Sequence, residues 1–278
     1  MVRAFADREV VALTRAALDI TDPVAVRRRV ADDRPDVIVN CAAFNDVDGA
    51  QDRPVEALDV NAFAVRSLAL AAERCGATLV HFGTDFVFDG SAAVPYREDA
   101  VPSPLSTYAM SKLLGEWFAL DAPRGFVLRV ESLFGSPTGW TGRRGTLDAI
   151  VDGLVNGRDV SVFTDRVVSP SYVEDIAAAT RHLVVSSAAP GIYHCVNSGH
   201  ATWHAVAQEA ARLLGVTPHL RPITMDQVRT KAARPRYCAL ANGKLAAAGF
   251  AMPPWQDALR RWLAGREHSA DTMNRTHG

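Results

Sequence analysis

The sequence predicts an α/β protein, a doubly wound parallel sheet followed by a smaller α+β lobe. Three observations carry this. Short apolar bursts alternate with helical patterns along the first half of the chain. The bursts at residues 36–40 and 77–82 are almost continuously apolar, the mark of strands buried on both faces. Proline and glycine punctuate the segments between them. Repeated strand–helix alternation with two-sided strands implies parallel pairing and right-handed crossovers.

Each element has a local reason. Residues 9–13, Glu-Val-Val-Ala-Leu, read as a strand. Asp22 is an N-cap and Pro23 the first helical position, and Arg34-Pro35 closes that helix. Residues 36–40 form the next strand. Residues 54–74 read as one helix with Ala, Leu and Val along one side, closed by Cys75-Gly76. Residues 77–82 are a strand, a Pro-rich loop spans 95–104, and a helix covers Thr107–Leu120. Residues 125–129 are a further strand. Beyond about residue 135 the rhythm loosens. Residues 159–163 are a short strand, and Ser171-Tyr-Val-Glu174 has the form of a capping box opening a helix to about Val185. Residues 191–196 read as a strand, 202–214 as an amphipathic helix, and 242–247 and 255–263 as short helices.

The expected organisation is a sheet domain over residues 1–135 with about 159–185, and a substrate lobe over 136–158 and 186–265. Residues 266–278 are expected to be a disordered tail. A ligand of such a sheet lies at the carboxyl ends of its strands.

Composition narrows the function. Hydrophobic residues make up 48% of the 278 and charged residues 22%, which suits a globular protein with a substantial core. The net charge of -1 points to neither nucleic acid nor a membrane surface as partner. No apolar run approaches a membrane span and no signal peptide is evident, so a cytoplasmic location is expected. Cys41, Cys75, Cys195 and Cys238 are widely spaced, without metal-ligand spacing. They read as small buried thiols in a reduced compartment, and no metal site is assigned.

The chemistry centres on Thr84, Tyr108 and Lys112. Thr84 follows a buried strand in Gly83-Thr84-Asp85-Phe86. Tyr108 and Lys112 bound Tyr-Ala-Met-Ser-Lys, a spacing that sets both side chains on one helix face. Hydride delivery to a ketone builds negative charge on oxygen, which calls for a proton donor. A phenol with pKa near 10 is reluctant, and a nearby ammonium lowers that pKa. Tyr108 is then the general acid, Lys112 its tuner, and Thr84 the group that positions the carbonyl. Only Lys112, Lys231 and Lys244 are lysines; arginine supplies the remaining cations. A planar, delocalised guanidinium would not do the same work.

These segments carry a resemblance. LDITDP at 18–23, RPDVIVNCAAFNDVD at 34–48 and GTDFVFDG at 83–90 are joined by PYREDAVPSPLSTYAMSKLLGE at 95–116, SPSYVEDIA at 169–177 and RPRYCALANGKL at 234–245. Together they resemble the extended short-chain dehydrogenase/reductases, and within them the dTDP-4-dehydrorhamnose reductase family. The resemblance implies a Rossmann-like fold and NADPH-dependent reduction of the 4-keto group of a nucleotide-activated deoxysugar. The partner is then a small-molecule sugar nucleotide, with a homodimer as candidate assembly. It also places the family's catalytic trio on Thr84, Tyr108 and Lys112.

Further roles follow from the resemblance. Asp19 and Ile20 would flank the adenine. Ala42 and Ala43 would pass beneath the pyrophosphate–nicotinamide side, although small residues there also serve helix–sheet packing. Arg15 stands where a cation favours a 2′-phosphate; it is otherwise a solvated loop arginine. NADPH is therefore preferred, NADH being the alternative, and no residue assigns a magnesium ion. Asp85 either faces substrate or caps the following turn. Arg234 and Arg236 either hold a diphosphate or lie in a surface loop. Where the family reads Arg-Thr-Ser-Trp, this chain reads Arg129-Val-Glu-Ser132, so Ser132 replaces a tryptophan beside the sugar.

The family order begins with a strand and a Gly-rich loop ahead of residues 9–13. That unit, about 20 residues, is expected to be missing from the start, leaving activity uncertain and NADPH binding weak. Two rivals stand beside this reading. One is a reductase or epimerase of another keto sugar nucleotide. The other is a non-catalytic NADP-binding regulatory subunit resembling the methionine adenosyltransferase β-subunit.

Overall fold

The structure, a computed structural model, describes residues 1–135 and 145–275, with backbone alone for 267–275. Its principal strands are β1 (Val37–Asn40), β2 (Thr78–Thr84), β3 (Gly125–Val130), β4 (Val160–Phe163), β5 (Gly191–His194) and β6 (Leu220–Ile223). A parallel sheet runs in the order β1-β2-β3-β5, in the register Val37↔Thr78, Leu79↔Gly125 and Phe126↔Gly191. Successive side chains go to opposite faces. Leu79 and Val127 join one core with Val26, Val30, Val65 and Leu68, from the helices Pro23–Asp33 and Ala64–Cys75. Val80, Phe126 and Leu128 join another with Ile176, Ala179 and Leu183, from the helix Val173–Val185. Helices therefore cover both faces, as the apolar runs require.

Local signals hold where they are self-contained. Asp22 caps its helix by accepting from Val24 N at 2.9 Å and Ala25 N at 3.0 Å. Gly76, at φ 72°, closes Ala64–Cys75 in the left-handed region that a Cβ would disfavour. The helix expected over 54–74 is interrupted: Pro54–Leu58 passes into a π-helical turn, Asp59–Phe63, before Ala64–Cys75.

Several expectations are corrected. Residues 9–13 are irregular and exposed, and they pair with no strand among the described residues. An apolar burst without a ladder to satisfy its backbone does not persist as a strand. Before them, Val2–Phe5 makes a single 3-10 turn against Val173–Val185. Arg181 fastens it through Ala4 O at 3.1 Å and both Asp7 oxygens at 2.6 and 2.7 Å. The capping box at 171–174 does not form, because Ser171 is engaged in a short pairing with Leu133 and its hydroxyl donates to Ser169 O at 2.8 Å.

The division between sheet and lobe also shifts. β4, expected in the sheet domain, pairs instead with β6, Val160 opposite Leu220. β5, expected in the lobe, is the fourth strand of the sheet. The helix Val173–Val185 does pack on the sheet. Of the lobe segment 136–158, residues 136–144 lie outside the described residues. The lobe's core gathers Phe134, Leu147, Val162, Trp203, Trp255 and Trp262. The expected disordered tail is corrected as well: the last helix runs Trp255–Arg275, and 276–278 lie outside the described residues. Cys195 and Cys238 are buried as expected, but Cys41 and Cys75 are exposed.

Candidate active site

The carboxyl ends of β1, β2 and β3 carry the segments 41–44, 84–88 and 131–135. The helix Thr107–Leu120 passes beside them, capped by Ser106, whose hydroxyl accepts from Ala109 N at 3.3 Å. That helix turns Tyr108 and Lys112 inward, and both are buried. The Thr84 hydroxyl lies beside the Tyr108 phenol and donates to Asp85 Oδ1 at 3.1 Å. Phe86 meets the Tyr108 ring edge-on at 5.7 Å. The structure thus brings Thr84, Asp85 and Tyr108 together.

Lys112 takes a different posture from the one expected. Its ammonium donates to Phe82 O at 2.6 Å and lies 3.4 Å from His81 Nε2. Burial lowers its pKa to about 8, against the opposing pull of Glu116. The Tyr108 phenol is not lowered: burial first, then the Asp85 charge, raises its pKa above the ordinary value, with Thr84 opposing. The expected lowering by Lys112 does not operate: its ammonium is held on Phe82 O, and desolvation of the phenolate governs the shift.

Behind Lys112 runs a buried polar chain. Asn40 Nδ2 lies 3.2 Å from His81 Nδ1. Arg129 pairs with Glu116 at 2.8 Å and lies 3.4 Å from His194 Nε2. Burial depresses both histidines, His194 to about 3 and His81 well below its usual range.

Asn61, in the π-helical turn, was missed by sequence reasoning. Its carboxamide accepts from Phe44 N at 2.8 Å and donates to Phe44 O at 3.1 Å and Ser111 Oγ at 2.9 Å. It ties the loop after β1 to the catalytic helix. The signal was a lone Asn in a run of Val, Ala, Phe and Leu. Glu131 was missed too, beside Ser132. Both follow β3, and Ser132 sits at φ 45°, a strained setting for a residue with a Cβ. Glu131 is buried and accepts from Ser169 N. Burial, then the Asp85 charge, raises its pKa well above the carboxylate range. Asp85 is raised by burial as well, against Arg166.

The remaining expected residues lie around this centre. Ala42 and Ala43 form the loop after β1, with Ala42 N donating to Asn40 Oδ1 at 3.1 Å. Ile20 packs against the core beneath the helix Pro23–Asp33. Asp19 accepts from Thr21 N at 3.0 Å and Thr21 Oγ1 at 2.7 Å, bonds that lower its pKa. Arg15 is exposed, its Nε 3.8 Å from Asp19, at the rim of a cleft shared with Thr21, Arg53 and Val60. Arg234 and Arg236 are not free cations. Arg234 grips Asp48 at 3.0 and 2.8 Å and holds its pKa near 2. Arg236 lies between Asp165, at 2.7 Å, and Asp226.

Comparison with known proteins agrees with this geometry. A family model described as RmlD substrate binding domain matches residues 1–267. The dTDP-4-dehydrorhamnose reductase of Streptomyces griseus is 38% identical over 268 residues, covering 94% of this chain and 84% of that protein. A probable dTDP-4,6-dihydroxy-2-methyloxan-3-one 4-ketoreductase of Streptomyces antibioticus is 38% identical over 272 residues, covering 94% and 88%. Among solved structures, the Bacillus anthracis dTDP-4-dehydrorhamnose reductase in complex with NADP superposes with a TM-score of 0.87 at 28% identity, covering 95% of this chain and 94% of that one.

Proposed function

Because the chain belongs to the RmlD substrate-binding domain family, we propose that it reduces the 4-keto group of a nucleotide-activated deoxysugar with NADPH. The observation that carries this is the closeness of buried Thr84 and Tyr108 at the carboxyl end of β2, with buried Lys112 one turn along the same helix as Tyr108.

The residues present fit the cofactor. Ala42 and Ala43 leave the backbone after β1 without bulky cover, and Arg15 holds an exposed guanidinium for a 2′-phosphate. Asp19, Ile20, Ala42 and Ala43 would line the cofactor, and Tyr108 and Lys112 its reacting end. When bound, the reduced nicotinamide supplies a hydride to C4. Tyr108 keeps its proton at neutral pH because its pKa is raised, and donates it to the carbonyl oxygen. Thr84 would turn its hydroxyl from Asp85 to hold that oxygen in line. Lys112, with its pKa near 8, supplies positive charge beside the site. Asp85, Ser132, Arg234 and Arg236 would receive the sugar nucleotide. The guanidinium of Arg234 would exchange Asp48 for diphosphate, a swap of one bidentate partner for another.

The Streptomyces antibioticus relative favours a second substrate reading, a different 4-keto sugar nucleotide; Ser132 in place of the tryptophan supports it. No helix among the described residues is long and apolar enough to cross a membrane. The proposal includes a cytoplasmic setting and a homodimer. Met110 and Trp117, exposed on one helix face near exposed Phe63, support self-association. Sedimentation showing a single-chain mass would overturn the dimer.

Purified protein given NADPH and dTDP-4-dehydrorhamnose, or another 4-keto sugar nucleotide, should consume absorbance at the NADPH band. Tyr108→Phe should slow this about 10²–10⁴-fold. A wild type no faster than Tyr108→Phe on every such sugar ends the enzyme reading; stoichiometric capture of a partner protein without turnover would favour the regulatory one.

A further inference from the structure

Three buried side-chain atoms among the described residues have no hydrogen-bond partner: Glu131 Oε2, Arg166 Nε and the Tyr237 hydroxyl. Native proteins leave few such groups, and each asks for an explanation. These three come from distant parts of the chain and act on one another: the charges of Arg166 and Glu131 interact, and burial, then the Glu131 charge, raises the pKa of Tyr237. Carboxylate oxygens of Asp85 and Glu131 and the sulfur of Cys238 lie within 4.8 Å of one another. Arg166 reaches within 4.0 Å of that sulfur, and its guanidinium stacks over Phe86 at 5.5 Å. Val167 pairs with Tyr237 in parallel, which runs the segment of Arg166 alongside that of Cys238. Asp85 itself accepts from the Thr84 hydroxyl at 3.1 Å. The cluster therefore adjoins the Thr84–Tyr108 pair while keeping an acceptor, a donor and a phenol in reserve.

We propose that Glu131, Arg166 and Tyr237 form a subsite for a hydroxyl group on the sugar-ring carbon next to the reacting carbonyl. The assignment rests on the keto-sugar reading above. A carbonyl held by Thr84 and Tyr108 brings its neighbouring ring carbon beside Asp85, and so to this cluster. A hydroxyl matches the reserved atoms because it donates one hydrogen bond, to Glu131, and accepts others, from Arg166 or Tyr237. An ammonium would satisfy Glu131 but leave Arg166 without an acceptor and set two cations together. A divalent cation would find two carboxylates and a thiol, but with a guanidinium against the sulfur. The strained Ser132 follows Glu131 directly, where the chain turns away from β3.

The test uses two 4-keto sugar nucleotides identical except for hydroxyl or hydrogen at C3. Wild type should prefer the hydroxylated sugar in kcat/KM by about 10²-fold or more, since a site built for a hydroxyl is left with unpaired groups by its absence. Glu131→Ala should bring that preference within about tenfold, and Tyr237→Phe, which removes one oxygen and keeps the ring, should lower it less. The two matching reduced sugar nucleotides, titrated calorimetrically, should show the same preference. That second measurement separates the proposals: no turnover with a preserved binding preference sinks the reductase reading alone. A wild-type preference near one, or a preference unchanged in both variants, overturns the subsite and leaves a bound water as the occupant. Stoichiometric zinc binding abolished by Cys238→Ser overturns it also.

Discussion

Lys112 pairs the charge proposed for catalysis with nearly complete burial, so its titration is readable. Its pKa lies near 8 because the ammonium is desolvated. The rate of carbonyl reduction is expected to fall as pH rises through about 8 and the ammonium is lost. Lys112→Met should be slower at every pH and lack that limb; a wild-type profile flat to pH 10 would refute the assignment. The same shift bears on stability. Between about 8 and 10.5 the unfolded lysine holds a proton that the folded one has lost, so this group's contribution rises with pH in that window. Glu131 has the opposite sign. Its folded pKa is raised, so the folded state binds the extra proton, and its contribution falls as pH climbs above the ordinary carboxylate value. Melting temperatures measured from pH 5 to 8 should fall less steeply in Glu131→Gln than in wild type. Of these residues, Tyr108 and Lys112 were proposed from the sequence because they stand four apart on one helix, and Thr84 because it ends a buried strand. Glu131 was not, because a carboxylate after a strand becomes informative only when Asp85, Arg166 and Tyr237 are known to surround it.

The catalytic helix Thr107–Leu120 owes its position to contacts that no local pattern reveals. Its capping serine and its amphipathic spacing announce its existence and ends. What it packs against is the irregular turn Asp59–Phe63, and the approach is close. A Cβ added at Gly115 would stand 2.0 Å from Asn61 O, a backbone atom that cannot easily yield. Gly115→Ala is expected to destabilise the protein by about 1–3 kcal/mol, through overpacking. Asn61→Ala would leave the Phe44 amide and carbonyl buried without partners, at about 2–4 kcal/mol. Because Phe44 anchors the loop carrying Ala42 and Ala43, the NADPH dissociation constant should rise with it. Chemical denaturation and NADPH titration check both variants; an Asn61→Ala protein with wild-type stability and affinity would deny Asn61 its bracing role. The π-helical turn escaped the sequence reading because residues 54–74 have an uninterrupted helical pattern, and one extra residue in a turn leaves composition unchanged. The capping box at 171–174 failed for a related reason: Ser171 had a stronger alternative in pairing with Leu133.

Sheet and lobe are joined through the site. Asp48 and Asp52, beyond the loop after β1, pair with Arg234 and Lys231 of the lobe. Arg234→Met should weaken sugar-nucleotide binding by about 10–100-fold, the worth of a charged hydrogen-bond pair, while the melting temperature moves little. Calorimetric titration reads the first effect, and unchanged affinity would remove Arg234 from the substrate site. The strand–helix rhythm and the two-sided strands were sufficient to assign a doubly wound sheet, because each depends on neighbours within a few residues along the chain; the Tyr-xxx-Lys spacing suggested carbonyl reduction, which the family resemblance then specified. Partnership across the chain was settled only by folding. β4 left the sheet for β6, β5 joined it, and residues 9–13 found no strand to pair with. Glu131, Arg166 and Tyr237 met around Asp85 for the same reason: hydrogen bonds and desolvation act over a few ångströms of space, and sequence distance does not constrain which groups come that close.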